Sequence, residues 1–552
     1  MQGIRYCQEL VDEYRAQGYW SEKTIVDIFE ENAQKYPDKE AVVDSKNRLT
    51  WLEVKRYSDR LALKFLELGI KREELVLVQL PNVVDNFVLQ VAFRKAGIVN
   101  AIAIPVFRHK EIEFALEFLK AVGIVIPWNH REFNYFDMVK DLKPSLPSLK
   151  HIFISGEEVP PGTISIKEIC EEPMEEKYLS HQLEKHKITA FETSVILLTS
   201  GTTGVPKIVE WPEASCIVGG MGVLEKVKAT EKDTFGGVMP MSGAAGYESI
   251  FLAPPQVAAK TVLQELWDPG ITLELIEKEK ISILIAAPPQ LEKMLQHRNF
   301  NKQKVSSLRA IRSGGGPLLP QTGVELEEKI GCKLVISSGA TEVGVIASTA
   351  VDDRDDIRLF TLGKPITGMR LTVIDDEGRK LPPGEAGELL ARGAAESFGY
   401  YKNHQETRKA WVTLDKDSWF RTGDIATLDK EGNLRIVGRK KDIILRGGQN
   451  IFPQEIEDAI RKNPKISDVA VVAMPDRVMG EKTCAYVTLK PNEKLTFEEM
   501  ISFLNEGGLS KYALPERLEV IETLPIITFT GKVDKKALRK DIMDKLKAEG
   551  RN

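Results

Sequence analysis

Through the first four hundred residues, short apolar runs alternate with longer stretches that are apolar on one helical face only. ELVLVQL (74–80) is a strand-length run, and NVVDNFVLQVAFRKAGI (82–98) after it carries apolar residues at helical spacing. TLELIEKEK (272–280) predicts a helix and ISILIAAPP (281–289) a buried strand, while RLTVID (370–375) and GELLARG (387–393) predict further strands. Strands and helices in alternation predict an α/β fold with helices layered on sheet. Near residue 438 the texture changes: GRKKDIILRGGQNIFPQEIEDAI packs glycines and charges together, and a compact α+β pattern follows to the end. Pro453 suits the first turn of a helix that Asn463-Pro464 ends. DVAVVAMP (468–475) and TCAYVTL (483–489) predict strands, and Thr496 with Glu499 predicts a capping box. The expected organisation is a large N-terminal α/β domain of several subdomains, residues 1–438, and a small C-terminal α+β domain, residues 439–552.

The chain has 552 residues, too many for one hydrophobic core, which agrees with that division. A net charge of −5 from interspersed acidic and basic residues provides no field for a nucleic-acid backbone, so nucleic acid is not an expected partner. The five cysteines are far apart, with no Cys-x-x-Cys, which argues against a zinc site or a disulfide framework and fits a reducing cytoplasm. The first twenty residues carry charges throughout, and no uninterrupted apolar stretch of about 18 residues occurs, so neither a signal peptide nor a transmembrane segment is expected.

The candidate chemistry begins after the apolar run Val195–Leu198, with TSGTTGVPK (199–207). A loop of glycines and hydroxyls turns backbone N–H groups toward one point and makes an anion-binding concavity, to which Lys207 adds a formal charge. It is not a Walker loop, because Gly-x4-Gly-Lys-Ser/Thr cannot be placed on Gly201 or Gly204. On composition alone, a mobile surface loop explains it equally well. Four further stretches change that balance: SGATE (338–342), FRTGD (420–424), GRKKDIILRGGQNIFPQEIE (438–457) and TGK (530–532). Together and in this order the five strings resemble the signatures of the adenylate-forming superfamily, which includes acyl-CoA synthetases and aryl-acid AMP ligases. The resemblance spans nearly the whole chain.

Several roles are implied by the resemblance. Thr199, Ser200, Gly201, Thr202, Thr203, Gly204 and Lys207 would grip the polyphosphate of ATP, with Thr202 counted among the catalytic groups. Glu342 would help to hold Mg²⁺. Asp424 would accept hydrogen bonds from the ribose hydroxyls, with Arg439 beside it. Gly315, Gly316, Gly339 and Thr341 would form the adenine and acyl-phosphate walls. Lys532 would reach the charge developing between carboxylate and α-phosphate, a task suited to a point charge on a flexible stem. The small domain would act as a mobile lid, with ATP between it and the large domain and a hinge at Lys441. Gly447 and Gly448 would line the thiol path. Each role has a plainer counterpart: a lone Glu is a solvated charge, an Asp after Gly is a turn residue, and a lysine in GKVDKKALRK belongs to a solvated helix end.

The acid would be chosen by Ser242, Gly243, Ala244, Ala245, Tyr247, Gly314 and Ser338. Where 2,3-dihydroxybenzoate enzymes carry His-Asn-Tyr, this chain has Gly243, Ala244 and Ala245. A site selects a hydroxyl by hydrogen-bonding it, so loss of the Asn disfavours a catechol acid. Ser338 stands where the family has an adenine-stacking aromatic, and Ser242 or Gly243 where it often has a gating histidine. The expected acid is unhydroxylated and carbocyclic, aromatic or of medium length. With no carrier domain resembled in the chain, free coenzyme A is the expected acceptor. A ligase loading a separate carrier protein is the alternative, and a non-catalytic nucleotide-binding homologue is the alternative of another class. Homo-oligomerisation is left open.

Overall fold

The computed structural model describes residues 3–178, 182–199, 206–316, 318–447, 449–527 and 532–550. It is an α/β protein that divides into two compact units, Met1–Leu371 with Ala391–Phe420, and Thr372–Leu390 with Arg421–Asn552. Residues 421–438 fall in the smaller unit because the later part of the strand Asp417–Leu428 pairs antiparallel with Leu434–Arg439.

Two sheets organise the larger unit. A seven-stranded sheet runs Lys207–Pro212, Thr193–Thr199, Val99–Ile102, Leu75–Val78, Gly123–Pro127, His151–Ser155, Ile164–Ser165, and only its first pair is antiparallel. The apolar runs are continuous because these parallel strands are covered on both faces: all four residues of Leu75–Val78 are buried. The helix Val84–Ala96 follows it as its spacing predicts, and Gly97 closes that helix in the left-handed conformation. A nine-stranded sheet holds Thr234–Gly237, Ile283–Ala286, Ala310–Gly314 and Lys333–Ala340, neighbours paired in parallel, with Gly344–Ser348 turned back antiparallel on the last. Parallel order brings the C-terminal ends of these four strands, and the loops that leave them, to one edge of the sheet, where α/β proteins place ligands.

The smaller unit is built on the hairpin of Ile466–Asp476 and Gly480–Leu489, with the helix Pro453–Arg461 packed on it. The capping box of Thr496 and Glu499 forms as predicted. Lys532 begins the short strand Lys532–Val533, before the helix Lys535–Ala548, so it is not part of the helix end suggested by its basic surroundings.

One buried ion pair ties the larger unit together. Arg94 Nε donates to Glu213 Oε2 at 2.8 Å, both side chains being fully buried. The guanidinium also donates to Gln90 O, Ser194 Oγ and Tyr247 Oη, and Glu213 accepts from Ile25 N. Removing one member leaves the other buried without its counter-charge. Arg94→Met is expected to lower stability by about 3–5 kcal/mol, read from the urea midpoint; a loss below about 1 kcal/mol would show that the pair contributes little.

Candidate active site

Thr199 and Lys207 are register partners across the antiparallel pair Thr193–Thr199 and Lys207–Pro212, so the anion-binding candidate is the connection of a hairpin. Ser200, Gly201, Thr202, Thr203 and Gly204 lie outside the described residues, as do Pro317, Gly448 and the Thr530-Gly531 that precedes Lys532. What is described at the hairpin mouth is a polar triad. Lys207 Nζ donates to Tyr400 Oη at 2.9 Å, and Tyr400 Oη donates to Glu342 Oε1 at 2.7 Å. The ammonium also lies 4.7 Å from the centre of the Tyr400 ring and 3.9 Å from Glu342 Oε1. Burial, reinforced by the Glu342 carboxylate, raises the Tyr400 pKa well above that of a free phenol, so Tyr400 stays a donor. A bridge between Val209 and Tyr400 and edge-to-face packing on Trp411 hold the ring in place. Tyr400 has no place among the residues expected from sequence; the only signal was its aromatic ring beside glycine in FGYYKN.

Thr341 and Gly339 stand at the turn from Lys333–Ala340 into Gly344–Ser348. The Thr341 carbonyl accepts from Trp211 Nε1 at 2.7 Å, which fastens this turn to the hairpin strand carrying Lys207. At Gly339 a Cβ would lie 2.3 Å from Gly344 O, so only glycine permits the strand to bend back there. Ser338 is half-buried and paired with Ala347. Gly314 is the last residue of its strand, opposite Ser337, while Gly315, with φ +82°, starts an exposed turn into Gly316.

The acid-selecting stretch is fixed by a residue that the sequence did not nominate. Asn82 Nδ2 donates to Met239 O and its Oδ1 accepts from Met241 N, both at 2.8 Å. Ser242 is buried, Gly243 exposed, and Ala244 and Ala245 half-buried. Tyr247 is fully buried, with its hydroxyl held by Arg94 and Gln90 at 3.1 Å each, so its polar end is committed to the core network. The turn Tyr247–Leu252 is a π-helix, a form that often marks functional sites. It carries Glu248, 1% exposed, whose Oε1 accepts from Val345 N at 3.3 Å. Burial pushes the Glu248 pKa up to about 7, against the pull of Arg312.

In the smaller unit, Asp424 and Arg439 are cross-strand partners, and Arg439 Nε meets Asp424 Oδ1 at 2.7 Å. Asp424 is therefore in a strand and not in a turn. Its amide donates to Thr422 Oγ1, and that hydroxyl donates to Leu389 O. Burial raises the Asp424 pKa, opposed by Arg439 and Lys532. The Lys532 pKa is lowered by desolvation and by Arg439, raised by Asp424, and lowered by Lys441. Lys532 thus shares one electrostatic neighbourhood with Asp424, Arg439 and Lys441, which lie far before it in the sequence. Lys441 sits in the single turn Lys440–Asp442 between two strands, its carbonyl accepting from Arg539. Gly447, φ +56°, donates to Met479 O and has the Met479 methyl where a Cβ would stand.

The chain matches the AMP-binding enzyme family over residues 29–401 and the C-terminal domain of AMP-binding enzymes over residues 455–532. The protein belongs to the adenylate-forming superfamily. Over 535 residues, 97% of this chain and 93% of its own, a medium-chain fatty-acid–CoA ligase of Escherichia coli (strain K12) is 32% identical to it. A 2,3-dihydroxybenzoate-AMP ligase of Bacillus subtilis (strain 168) is 30% identical over 546 residues, 98% of this chain and 97% of its own. An anthranilate CoA ligase in complex with anthranoyl-AMP has the same fold, with a TM-score of 0.85 at 24% identity over 96% of this chain and 98% of its own. This member of the superfamily is accordingly an adenylate-forming ligase. Among the described residues no helix is long and apolar enough to cross a membrane.

Glu248 makes the superfamily scaffold sensitive to pH. Its carboxyl holds a proton up to about pH 7 when folded and loses it near its ordinary 4.5 when unfolded. The folded state binds more protons between those values, so stability falls as pH rises through that window, and the penalty is complete above it. A shift of this size corresponds to about 3 kcal/mol. Glu248→Gln keeps the shape and the acceptor for Val345 N, and is expected to gain most of that amount at pH 8 and little near pH 4.5. Urea midpoints at the two pH values measure it; parallel pH profiles of variant and wild type would assign the dependence elsewhere.

Proposed function

We propose that the protein is an AMP-forming acid–CoA ligase. A carboxylate oxygen attacks the α-phosphorus of ATP and expels pyrophosphate. The sulfur of coenzyme A then attacks the acyl carbonyl, releasing AMP as the thiol proton is lost. The observation that carries this reading is the neighbourhood of Lys532, Asp424 and Arg439, with Lys441 beside it. Asp424 is an acceptor suited to ribose hydroxyls. The ammonium of Lys532, a point charge beside Asp424 and Arg439, suits the charge that develops when two anions are brought together.

In this reading Lys207 and the residues Thr199, Ser200, Gly201, Thr202, Thr203 and Gly204 bind the β- and γ-phosphates, and Tyr400 orients Glu342 beside them. Among the described residues no group of three or more His, Cys, Asp or Glu is arranged to hold a metal. One carboxylate together with nucleotide phosphates is the manner in which magnesium is held in such sites, and Glu342 fits it. Magnesium, when bound there, neutralises phosphate charge. We keep residues 1–438 as the ATP- and acid-binding domain and 439–552 as the domain that delivers Lys532, with Lys441 absorbing the backbone rotation between half-reactions. Gly447 and Gly448 line the approach of the thiol. The acid is unhydroxylated next to its reacting carboxyl, because Gly243, Ala244 and Ala245 offer no polar side chain there; its body is carbocyclic, aromatic or of medium length.

The similarity to a 2,3-dihydroxybenzoate-AMP ligase supports a second reading, transfer of the acyl group to a separate carrier protein. Pyrophosphate release with benzoate, cyclohexanecarboxylate, salicylate and straight-chain acids, each with and without coenzyme A, separates the two. Acid-dependent release with no acyl-CoA formed favours the carrier, and no release with any acid favours the non-catalytic nucleotide-binding homologue or an acid class outside the panel. Lys532→Ala is expected to abolish acyl-adenylate formation while sparing thioester formation from supplied acyl-AMP, and equal loss of both half-reactions refutes its role. Lys441→Pro, which fixes φ, is expected to slow thioester formation more than adenylation; an unchanged thioester rate removes the hinge.

A further inference from the structure

The stretches that sequence alone nominated as acyl walls converge on two buried charges that do not meet. Arg312 lies two residues before Gly314 in the strand Ala310–Gly314 and is 2% exposed. Its neighbour Ile311 packs into the apolar core with Leu284, Leu326 and Leu334. Side chains alternate along a strand, and Arg312 accordingly points the other way, where Nη1 donates to Ser249 Oγ at 2.6 Å. Ser249 and Glu248 belong to the π-helix that continues from Gly243-Ala244-Ala245. The Glu248 carboxylate occupies the space left by two glycines: a Cβ on Gly219 or Gly344 would lie 2.5 Å from its Oε1. Gly344 starts the strand paired with the Ser338–Ala340 wall.

No carboxylate stands within 4.0 Å of the Arg312 guanidinium among the described residues, and its one described hydrogen bond is to the Ser249 hydroxyl. Every other fully buried arginine of comparable burial is met directly: Arg94 by Glu213, and Arg358 by Glu327 and Asp355. A guanidinium carries five donors, and buried charges are normally paired or hydrogen-bonded. Desolvation pushes the Arg312 pKa down to about 10, so it remains protonated at neutral pH. At the head of the same stretch, the buried Ser242 hydroxyl has no hydrogen-bond partner among the described residues.

We propose that Arg312, presented by Ser249, is a specificity-determining residue of the acyl site, and that it receives an oxygen acceptor of the acid other than the reacting carboxyl, either a second carboxylate or a carbonyl oxygen. The inference rests on the acid-ligase reading and deepens it. Near the reacting carboxyl the pocket offers Ala244 and Ala245 and takes unhydroxylated carbon. Behind them, through Ser249, whose Oγ donates to Ala245 O, it offers a cation that feels the charge of Glu248 but that no described carboxylate contacts. The preferred acids are therefore dicarboxylic or oxo acids, and the corresponding methyl-terminated acids are poorer substrates.

The test compares kcat/KM for pyrophosphate release on matched sets, each containing a methyl-terminated acid, the dicarboxylic acid and the oxo acid of the same carbon skeleton, over several chain and ring sizes. Wild type is expected to favour the acceptor-bearing member of the best-fitting set by about 10- to 100-fold, the range of one hydrogen bond to a charged group. Preference for the dicarboxylic or for the oxo acid tells the two acceptors apart. In Arg312→Met that ratio is expected to collapse toward one or below, whereas a purely structural arginine would lower the rates with all acids together and leave the ratio unchanged. Ser249→Ala gives a second variant that keeps the charge, with a partial fall of the ratio expected. A wild type that prefers the methyl-terminated acid in every set overturns the inference while leaving the ligase reading intact. Absence of pyrophosphate release with every acid rejects both.

Discussion

The larger unit depends on the fully buried pair of Arg94 and Glu213. Each member is used more than once. Glu213 opens the helix Glu213–Val227 and accepts the first amide of Ile25–Lys35, while Arg94 reaches Ser194 and Tyr247. Ser194 lies on the strand that ends at Thr199, and Tyr247 begins the turn that follows Ala244 and Ala245. Desolvating two charges is costly, and only their mutual attraction together with full hydrogen bonding offsets it. One polar cluster therefore holds both the strand leading to the phosphate-loop candidate and the helix leading from the acid-selecting stretch. This explains why Tyr247, expected at the acid, has its hydroxyl in the core.

Against that satisfied network, Glu248 and Arg312 are anomalous. Both are buried as deeply as Arg94 and Glu213, yet they do not touch, and each has a single described hydrogen bond. A chain that satisfies its other buried arginines with carboxylates has left this one facing a hydroxyl, close to the three segments expected to enclose the acid. The π-helical turn bearing Glu248 and Ser249 is itself a departure from regular geometry, and such departures cluster where function overrides local preference.

In the smaller unit the cross-strand register that sets Asp424 opposite Arg439 accounts for the arrangement of charges around Lys532. Of the groups around Lys532, Asp424 attracts its ammonium while Arg439 and Lys441 repel it. At the hairpin mouth of the larger unit, Tyr400 performs a similar service by holding a cation and a carboxylate on one hydroxyl.

Much of the fold was legible in sequence for a simple reason: apolar periodicity and caps are local. GELLARG is the strand Gly387–Gly393, Pro453 opens its helix, and Thr496 with Glu499 closes its capping box. Each signature motif is likewise a short run, and their order along the chain is what resembles the adenylate-forming superfamily to which the chain belongs. Tertiary structure decided what depends on meeting across long separations. Tyr400 lies 193 residues from Lys207, and Asn82 clamps a segment more than 150 residues away, contacts that no periodicity announces. Sequence alone read Gly243, Ala244 and Ala245 as offering no polar side chain, because it considered the residues of that stretch one by one. Arg312 is not among the residues nominated from sequence, and only strand alternation and sheet order turn it inward onto Ser249, where burial gives a charge its significance.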